Sequence, residues 1–268
     1  MSNSKPKILF VYDHQYPKLR MDGLYMALEI LENDFEIEKI NIHNSADRPD
    51  TFGYPFVLGW GGFNSKVDNW LQSISNKKGL CIAGNAFPPT GANTYDVLFY
   101  ETKWYRPQIN FHKNIVQAFG VNTNIYFEYE FTKPLVWDYI GVGSFAKWKR
   151  WERMILKKGS RLVIGEYQKE NEEESIGIIR ELMKGGVMVS PMVHPFDLSN
   201  LYNWSRTCYI PADLNGGGER AILEARSCGC SVEIEDDNPK LKELMEVTPI
   251  PSHIEYAKKL KDGILSVL

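Results

Sequence analysis

The residues with the clearest chemical content run from Asn215 to Ser231, Asn-Gly-Gly-Gly-Glu-Arg-Ala-Ile-Leu-Glu-Ala-Arg-Ser-Cys-Gly-Cys-Ser. Three consecutive glycines, Gly216, Gly217 and Gly218, precede a short predicted helix over 220–228, and Gly229 is its natural stop. Glycines let a ligand approach the backbone closely and permit positive φ. A helix N-terminus carries unpaired N–H groups and a partial positive charge, so a glycine turn feeding a helix makes an anion site. On that helix Ala221, Ile222, Ala225 and Cys228 form an apolar face, while Arg220, Glu224 and Ser227 fall elsewhere. Glu224 then sits one turn in, near the helix mouth, where a carboxylate can accept from two neighbouring sugar hydroxyls. The same residues also fit a glycine-rich surface loop with a solvated helix face.

A second patch is basic. Lys147, Lys149, Arg150 and Arg153 crowd the start of a predicted helix over 147–157. Cations are mildly unfavourable near a helix N-terminus, so four of them there point to an anionic ligand. A phosphate fits, and so does an anionic lipid headgroup with Trp148 and Trp151 interleaved, which leaves peripheral membrane contact open. His194, just before Pro195, is a third candidate, able to stack or hydrogen-bond in a loop. Glu170 to Glu174 reads as a solvated acidic helix start.

The elements that must carry these residues alternate. Strands are expected at 7–12, 35–42, 56–60, 79–83, 96–100 and 116–119, with helices at 24–31, 64–75 and 105–114 between them. A boundary is expected at Glu128–Lys133, ahead of Pro134. A second series follows, with strands at 137–142, 161–167, 187–192 and 206–212 and helices at 147–157, 172–184, 197–205 and 220–228. Such alternation predicts an α/β chain of two Rossmann-like doubly wound domains, 1–130 and 131–268. Ligands of these sheets bind beyond the carboxyl ends of strands. Segments 13–22, 59–63 and 84–91 are therefore candidates for an acceptor cleft, and are also ordinary βα loops.

The run from Gly216 to Val232 resembles the donor-site signature of the large retaining family of GT-B glycosyltransferases (glycosyl transferases group 1). The resemblance covers about 119–246, and the first half matches only in element order, with fewer elements than usual. It implies a nucleoside-diphosphate sugar as donor substrate, no bound cofactor and no metal. It implies that Glu224 binds the ribose, and Ala225, Gly229 and Val232 match as well. The family's first Glu, which contacts the donor sugar, falls on Gly216; Glu219 is the nearby carboxylate that could replace it. The Gly217–Ala221 backbone, Arg220 included, would bind sugar and phosphate. After the first strand of the second half, the family's Lys falls on Lys149 and its Arg on Ser144. A cation there stabilises the departing diphosphate, and Arg150 or Lys147 could share the task. The turn holding His194 corresponds to the one that holds the nucleotide base. The segment 120–127, Gly-Val-Asn-Thr-Asn-Ile-Tyr-Phe, looks like the family's inter-domain Gly-Val-Asp-x-x-x-Phe.

The 268 residues carry a formal charge of −3, which gives no electrostatic footprint for nucleic acid. No apolar run is long enough to span a bilayer and no signal-peptide core is present, so a cytoplasmic protein is expected. The four cysteines are unpatterned and read as reduced buried thiols. The expected activity is a metal-independent glycosyltransferase acting on an unknown glycan, lipid-linked or protein acceptor, with UDP or GDP in the donor. A non-catalytic nucleotide-sugar-binding or partner subunit of the same fold is the alternative. A nucleotide-sugar epimerase-like enzyme is a third reading, for which Asp13, His14 and Glu101 are the available acid–base groups.

Overall fold

The structure is a computed structural model that describes residues 5–14, 22–43, 48–84, 95–130 and 134–268. The chain divides into two compact units, one of 1–120 with 251–268, the other of 121–250. Each is organised on one parallel sheet.

In the first unit the elements run β1 (Lys7–Tyr12), α1 (Gly23–Leu31), β2 (Glu36–Asn41), β3 (Phe56–Gly61), α2 (Lys66–Gln72), β4 (Lys77–Ile82), β5 (Val97–Tyr100), α3 (Arg106–Ile109) and β6 (Ile115–Gln117). The six strands lie in the order β2-β1-β3-β4-β5-β6. Burial on both faces explains the continuous apolar runs. Ile8, Phe10, Phe56, Leu58, Val97 and Phe99 point to one face, with Leu24, Ala27, Leu28 and Leu31 of α1. Leu9, Val11, Val57, Leu80 and Leu98 point to the other, with Val67, Trp70 and Leu71 of α2. Both helices start on side-chain caps, Asp22 accepting from the Tyr25 N–H and Ser65 from that of Asp68. The expected helix at 105–114 shrinks to the single turn of α3, preceded by a 3-10 turn at Lys103–Tyr105.

The second unit runs β7 (Trp137–Val142), α4 (Glu152–Ile155), β8 (Arg161–Gly165), α5 (Glu172–Lys184), β9 (Met188–Pro191), α6 (Pro195–Asn203), β10 (Ser205–Ile210), α7 (Glu219–Ser227), β11 (Ser231–Ile234) and α8 (Pro239–Glu246). Its sheet order is β11-β10-β7-β8-β9, the doubly wound order, with the switch point between β7 and β10. The predicted basic helix over 147–157 does not form. A 3-10 turn, Lys147–Lys149, ends at Arg150 in the left-handed region (φ 51°), which interrupts the helical path before α4 begins. The argument from cations at a helix start therefore loses its premise.

Helix α9 (His253–Leu265) belongs to the first unit, where it packs on α1, with Gly263 against Phe99. Ser252 and Glu255 close a capping box at its start. The other crossing lies at Gly120–Val121, ahead of the expected 130/131 boundary. Residues 125–129 are tied into the second unit by α6: Ser199 Oγ donates to the Ile125 carbonyl, and Asn203 Nδ2 to that of Phe127. The Tyr129 N–H in turn donates to Asn203 Oδ1.

Candidate functional site

The two sequence patches meet at the switch point of the second sheet. β7 delivers Gly143 and Ser144, and β10 delivers the loop from Pro211 to Gly218. The loop is fastened to the 3-10 turn: the Asp213 N–H donates to the Trp148 carbonyl at 2.9 Å. The Asn215 N–H donates to Asp213 Oδ1 and the Gly216 N–H to the Asp213 carbonyl. Asn238, fully buried, donates from Nδ2 to the carbonyls of Ala212 and Asp213. This clamp explains Gly216. A Cβ built there would lie 2.6 Å from the Trp148 carbonyl oxygen and 2.7 Å from Ala212 Cβ, so no side chain fits. Gly217 and Gly218 both have φ in the left-handed region, 57° and 132°, which turns the chain into α7.

Lys149 is the one cation of its patch that points inward. It is only 9% exposed. Its side chain runs along Gly143, where a Cβ would stand 3.2 Å from Nζ; a Cβ on Gly217 would stand 3.8 Å from the same atom. Among the described residues Nζ makes no hydrogen bond and no ion pair. Burial lowers its pKa from 10.5 to about 8; Lys240 and Arg220 add to the depression, and Glu219 and Asp213 oppose it. A buried ammonium between two glycine backbones, beside the N-terminus of α7, has the chemistry to receive an anion.

Arg150, Arg153 and Lys157 are paired with acids on and after β11. Arg150 forks onto Asp237, Nη1 and Nη2 at 2.6 and 2.7 Å, and its Nε donates to the Pro211 carbonyl at 2.6 Å. Arg153 pairs with Glu235 at 2.5 Å, and Lys157 with Glu233. Arg150 thus braces the β10 loop. The Lys147 N–H donates to Glu174, in the acidic first turn of α5. The Ser144 carbonyl accepts from the Trp151 indole, which holds the β7 loop in place.

Glu219 opens α7 and is 6% exposed. Its Oε1 lies 3.0 Å from Lys240 Nζ on α8, a lysine that is 1% exposed. The pair is an ionic contact by distance although its geometry is not that of a hydrogen bond to Oε1. Arg220 and Ala221 follow in the first turn. Glu224 is 5% exposed, more enclosed than a residue at a helix mouth. The Tyr202 hydroxyl donates to its Oε2 at 3.4 Å, and Arg220 Nε lies 3.7 Å from Oε1. Both contacts are longer than the usual charged hydrogen bond of about 2.8 Å. Burial, with Glu224 alongside, pushes the Tyr202 phenol well above its ordinary pKa and keeps it a donor. His194 caps α6, its Nδ1 accepting from the Phe196 N–H, and its ring stacks on the Phe196 ring at 5.4 Å.

Sequence reading missed Lys240, Asn238, Tyr202 and the acids that neutralise the basic patch. The acidic run from Glu233 to Asp237, followed by Asn-Pro, was a visible signal for the last of these. In the first unit, Asp13 pairs with His43 Nδ1 at 2.6 Å, and Asn41 Nδ2 donates to the His14 carbonyl. The Glu101 carbonyl accepts from Gln117. Gly59 and Gly61 lie in β3, and Gly62 follows it; segments 15–21 and 85–91 of the other candidate loops lie outside the described residues. All four cysteines are buried and unbridged. The described residues contain no helix long and apolar enough to cross a membrane.

No protein-family model matches the sequence, and no match was found among curated proteins. Solved structures do match. Sucrose-phosphate synthase from Thermosynechococcus elongatus superposes with a TM-score of 0.67 over 98% of this chain and 90% of that one, at 12% identity. HepE from Anabaena, solved with UDP and glucose, gives 0.62 over 97% and 90%, at 11% identity. MnaA from S. aureus, solved with UDP, gives 0.60 over 98% of both chains, at 10% identity. Two parallel sheets flanked by helices, matched over nearly the whole chain by these structures, give this chain the GT-B fold of glycosyltransferases.

Proposed function

We propose that the chain is a glycosyltransferase that takes a UDP-sugar donor and moves its sugar to an acceptor hydroxyl without a metal ion. The observation that carries this reading is the buried ammonium of Lys149, without a hydrogen bond or ion pair among the described residues and held between Gly143 and Gly217 at the sheet's switch point. The diphosphate lies against Lys149 and the first N–H groups of α7, from Gly217 to Ala221. Glu224 accepts from the ribose hydroxyls, and the turn at His194 holds the base. In transfer the bond from the anomeric carbon to the diphosphate oxygen breaks, its electron pair leaving with UDP. The acceptor oxygen forms the new bond and gives up its proton to the oxygen of the departing diphosphate. Lys149 stabilises the charge gathering on the departing diphosphate. UDP is preferred over GDP because HepE and MnaA, which share the fold, were solved with UDP. Retention at the anomeric carbon rests on the motif resemblance alone. The acceptor is a glycan, a lipid-linked sugar or a protein, and the protein works in the cytoplasm.

A second reading is favoured by Gly216. The position that holds a sugar-contacting carboxylate in the resembling family has no room for one here. A nucleotide-sugar-binding subunit without catalytic activity fits that feature. Calorimetric titration with UDP, GDP and ADP tests what both readings share. UDP binds wild type, and Glu224→Ala weakens it about tenfold, the worth of one charged hydrogen-bond partner. Failure of every nucleotide to bind the folded protein refutes both. Incubation with UDP-sugars and candidate acceptors then separates them: released UDP with a glycosylated product marks the transferase.

A further inference from the structure

The proposed donor site contains an anion of its own. Glu219 is the first residue of α7, with its carboxylate at the helix end where a phosphate would be received. It is enclosed, and Lys240, more deeply buried still, holds Oε1 at 3.0 Å. A Cβ on Gly217 would lie 3.4 Å from Glu219 Oε2 and 3.8 Å from Lys149 Nζ, so the carboxylate and the Lys149 ammonium border the same glycine. Three charges thus meet there, two positive and one negative. Neither the helix end nor the two lysines can serve an incoming diphosphate fully while the carboxylate stays in place.

We propose that Glu219 is an internal competitor for the diphosphate, occupying the phosphate position of the empty site and setting how tightly a nucleoside diphosphate is held. Binding displaces the carboxylate from Lys240 or is weakened by its charge; on departure of the diphosphate the carboxylate returns and helps to clear the site. This role differs from replacing the sugar-contacting glutamate that Gly216 lacks. It rests on the donor-site reading above, and the two are separable by experiment.

The experiment is calorimetric titration of UDP, inorganic pyrophosphate and UDP-glucose into wild type, Glu219→Gln and Lys149→Met. One like charge removed within a few ångströms of a partly buried anion is worth about tenfold or more in affinity. The expected result is tighter binding of UDP and pyrophosphate by Glu219→Gln, by about that factor, and weaker binding by Lys149→Met. Unchanged or weaker binding of UDP and pyrophosphate by Glu219→Gln, with Lys149→Met still weakening them, overturns the inference and leaves the donor site standing. Loss confined to UDP-glucose also overturns it, and assigns Glu219 to the sugar. If neither wild type nor Glu219→Gln binds any of the three, the donor-site reading itself fails. Glu219→Gln removes the carboxylate beside the buried Lys240 ammonium, which can prevent folding. The same comparison is therefore repeated by adding Glu219→Gln to Lys240→Met, where both charges of the pair are gone. Tighter UDP binding on that addition supports the proposal, and no change overturns it.

Discussion

Raising the pH should switch off nucleotide binding through Lys149. Its ammonium is disfavoured chiefly because it is buried, and the neighbouring Lys240 and Arg220 push in the same direction. Glu219 and Asp213 recover part of the loss, leaving a pKa of about 8 against an ordinary 10.5. That depression corresponds to roughly 3 kcal/mol against the charged form. A bound diphosphate supplies the missing counter-charge and favours the ammonium, so binding takes up a proton. The charged fraction of free Lys149 falls from about nine-tenths at pH 7 to about one-tenth at pH 9. UDP affinity should therefore fall about tenfold over that interval, with a loss approaching tenfold per unit above pH 8. The assay is UDP titration at pH 7, 8 and 9 with wild type and Lys149→Met, read as the ratio of their dissociation constants. Ionisation of UDP itself is common to both proteins and cancels in that ratio. Proton uptake is read separately, from the binding heat in buffers of different ionisation enthalpy. In the ligand-free protein the sign is opposite. Between about pH 8 and 10.5 the unfolded chain holds a proton that the folded chain has released, so this group adds stability as pH rises. A ratio that stays constant from pH 7 to 9 would refute the placement of Lys149 against the diphosphate.

Other substitutions test the scaffold around that lysine. Arg150→Met removes the charged donor to the Pro211 carbonyl and should lower stability by about 1–2 kcal/mol in urea unfolding; an unchanged midpoint would mean that the β10 loop stands without this brace. Gly216→Ala drives a methyl group into the Trp148 carbonyl and Ala212, and overpacking of this kind costs about 1–3 kcal/mol. That variant should unfold at lower temperature and lose the rise in melting temperature expected of wild type with UDP, whereas a fully protected Gly216→Ala would show the loop to be less tightly clamped.

The central strands were legible because β1, β3, β4 and β5 are apolar runs with buried side chains on both faces, and that pattern is local; β11, four residues with none fully buried, was not expected. The helices α1, α2, α5 and α7 were legible for the same reason, since Leu24, Ala27, Leu28 and Leu31 or Ala221, Ile222 and Ala225 declare one face within a single turn or two. The site was legible only as residue types. Four cations in the run from Lys147 to Arg153 look alike in sequence, and two facts that the run does not show set Lys149 apart. Asp237 and Glu235 lie some eighty residues further on and claim Arg150 and Arg153. The left-handed turn at Arg150 breaks the helix that would have spread the run along one surface, leaving Lys149 directed at Gly143. The departure at Gly216 has the same kind of cause. It reads in sequence as a missing carboxylate, whereas in the fold it is where the β10 loop closes onto the Trp148 carbonyl, a contact that admits only glycine. A glutamate at the next helical position, paired with a lysine from α8, then brings a carboxylate back to the same end of α7 from a different direction. Charge at that end of the helix is therefore set by Lys149, Glu219 and Lys240 together, and a motif that covers only the first two of these elements describes half of the balance that a diphosphate would meet.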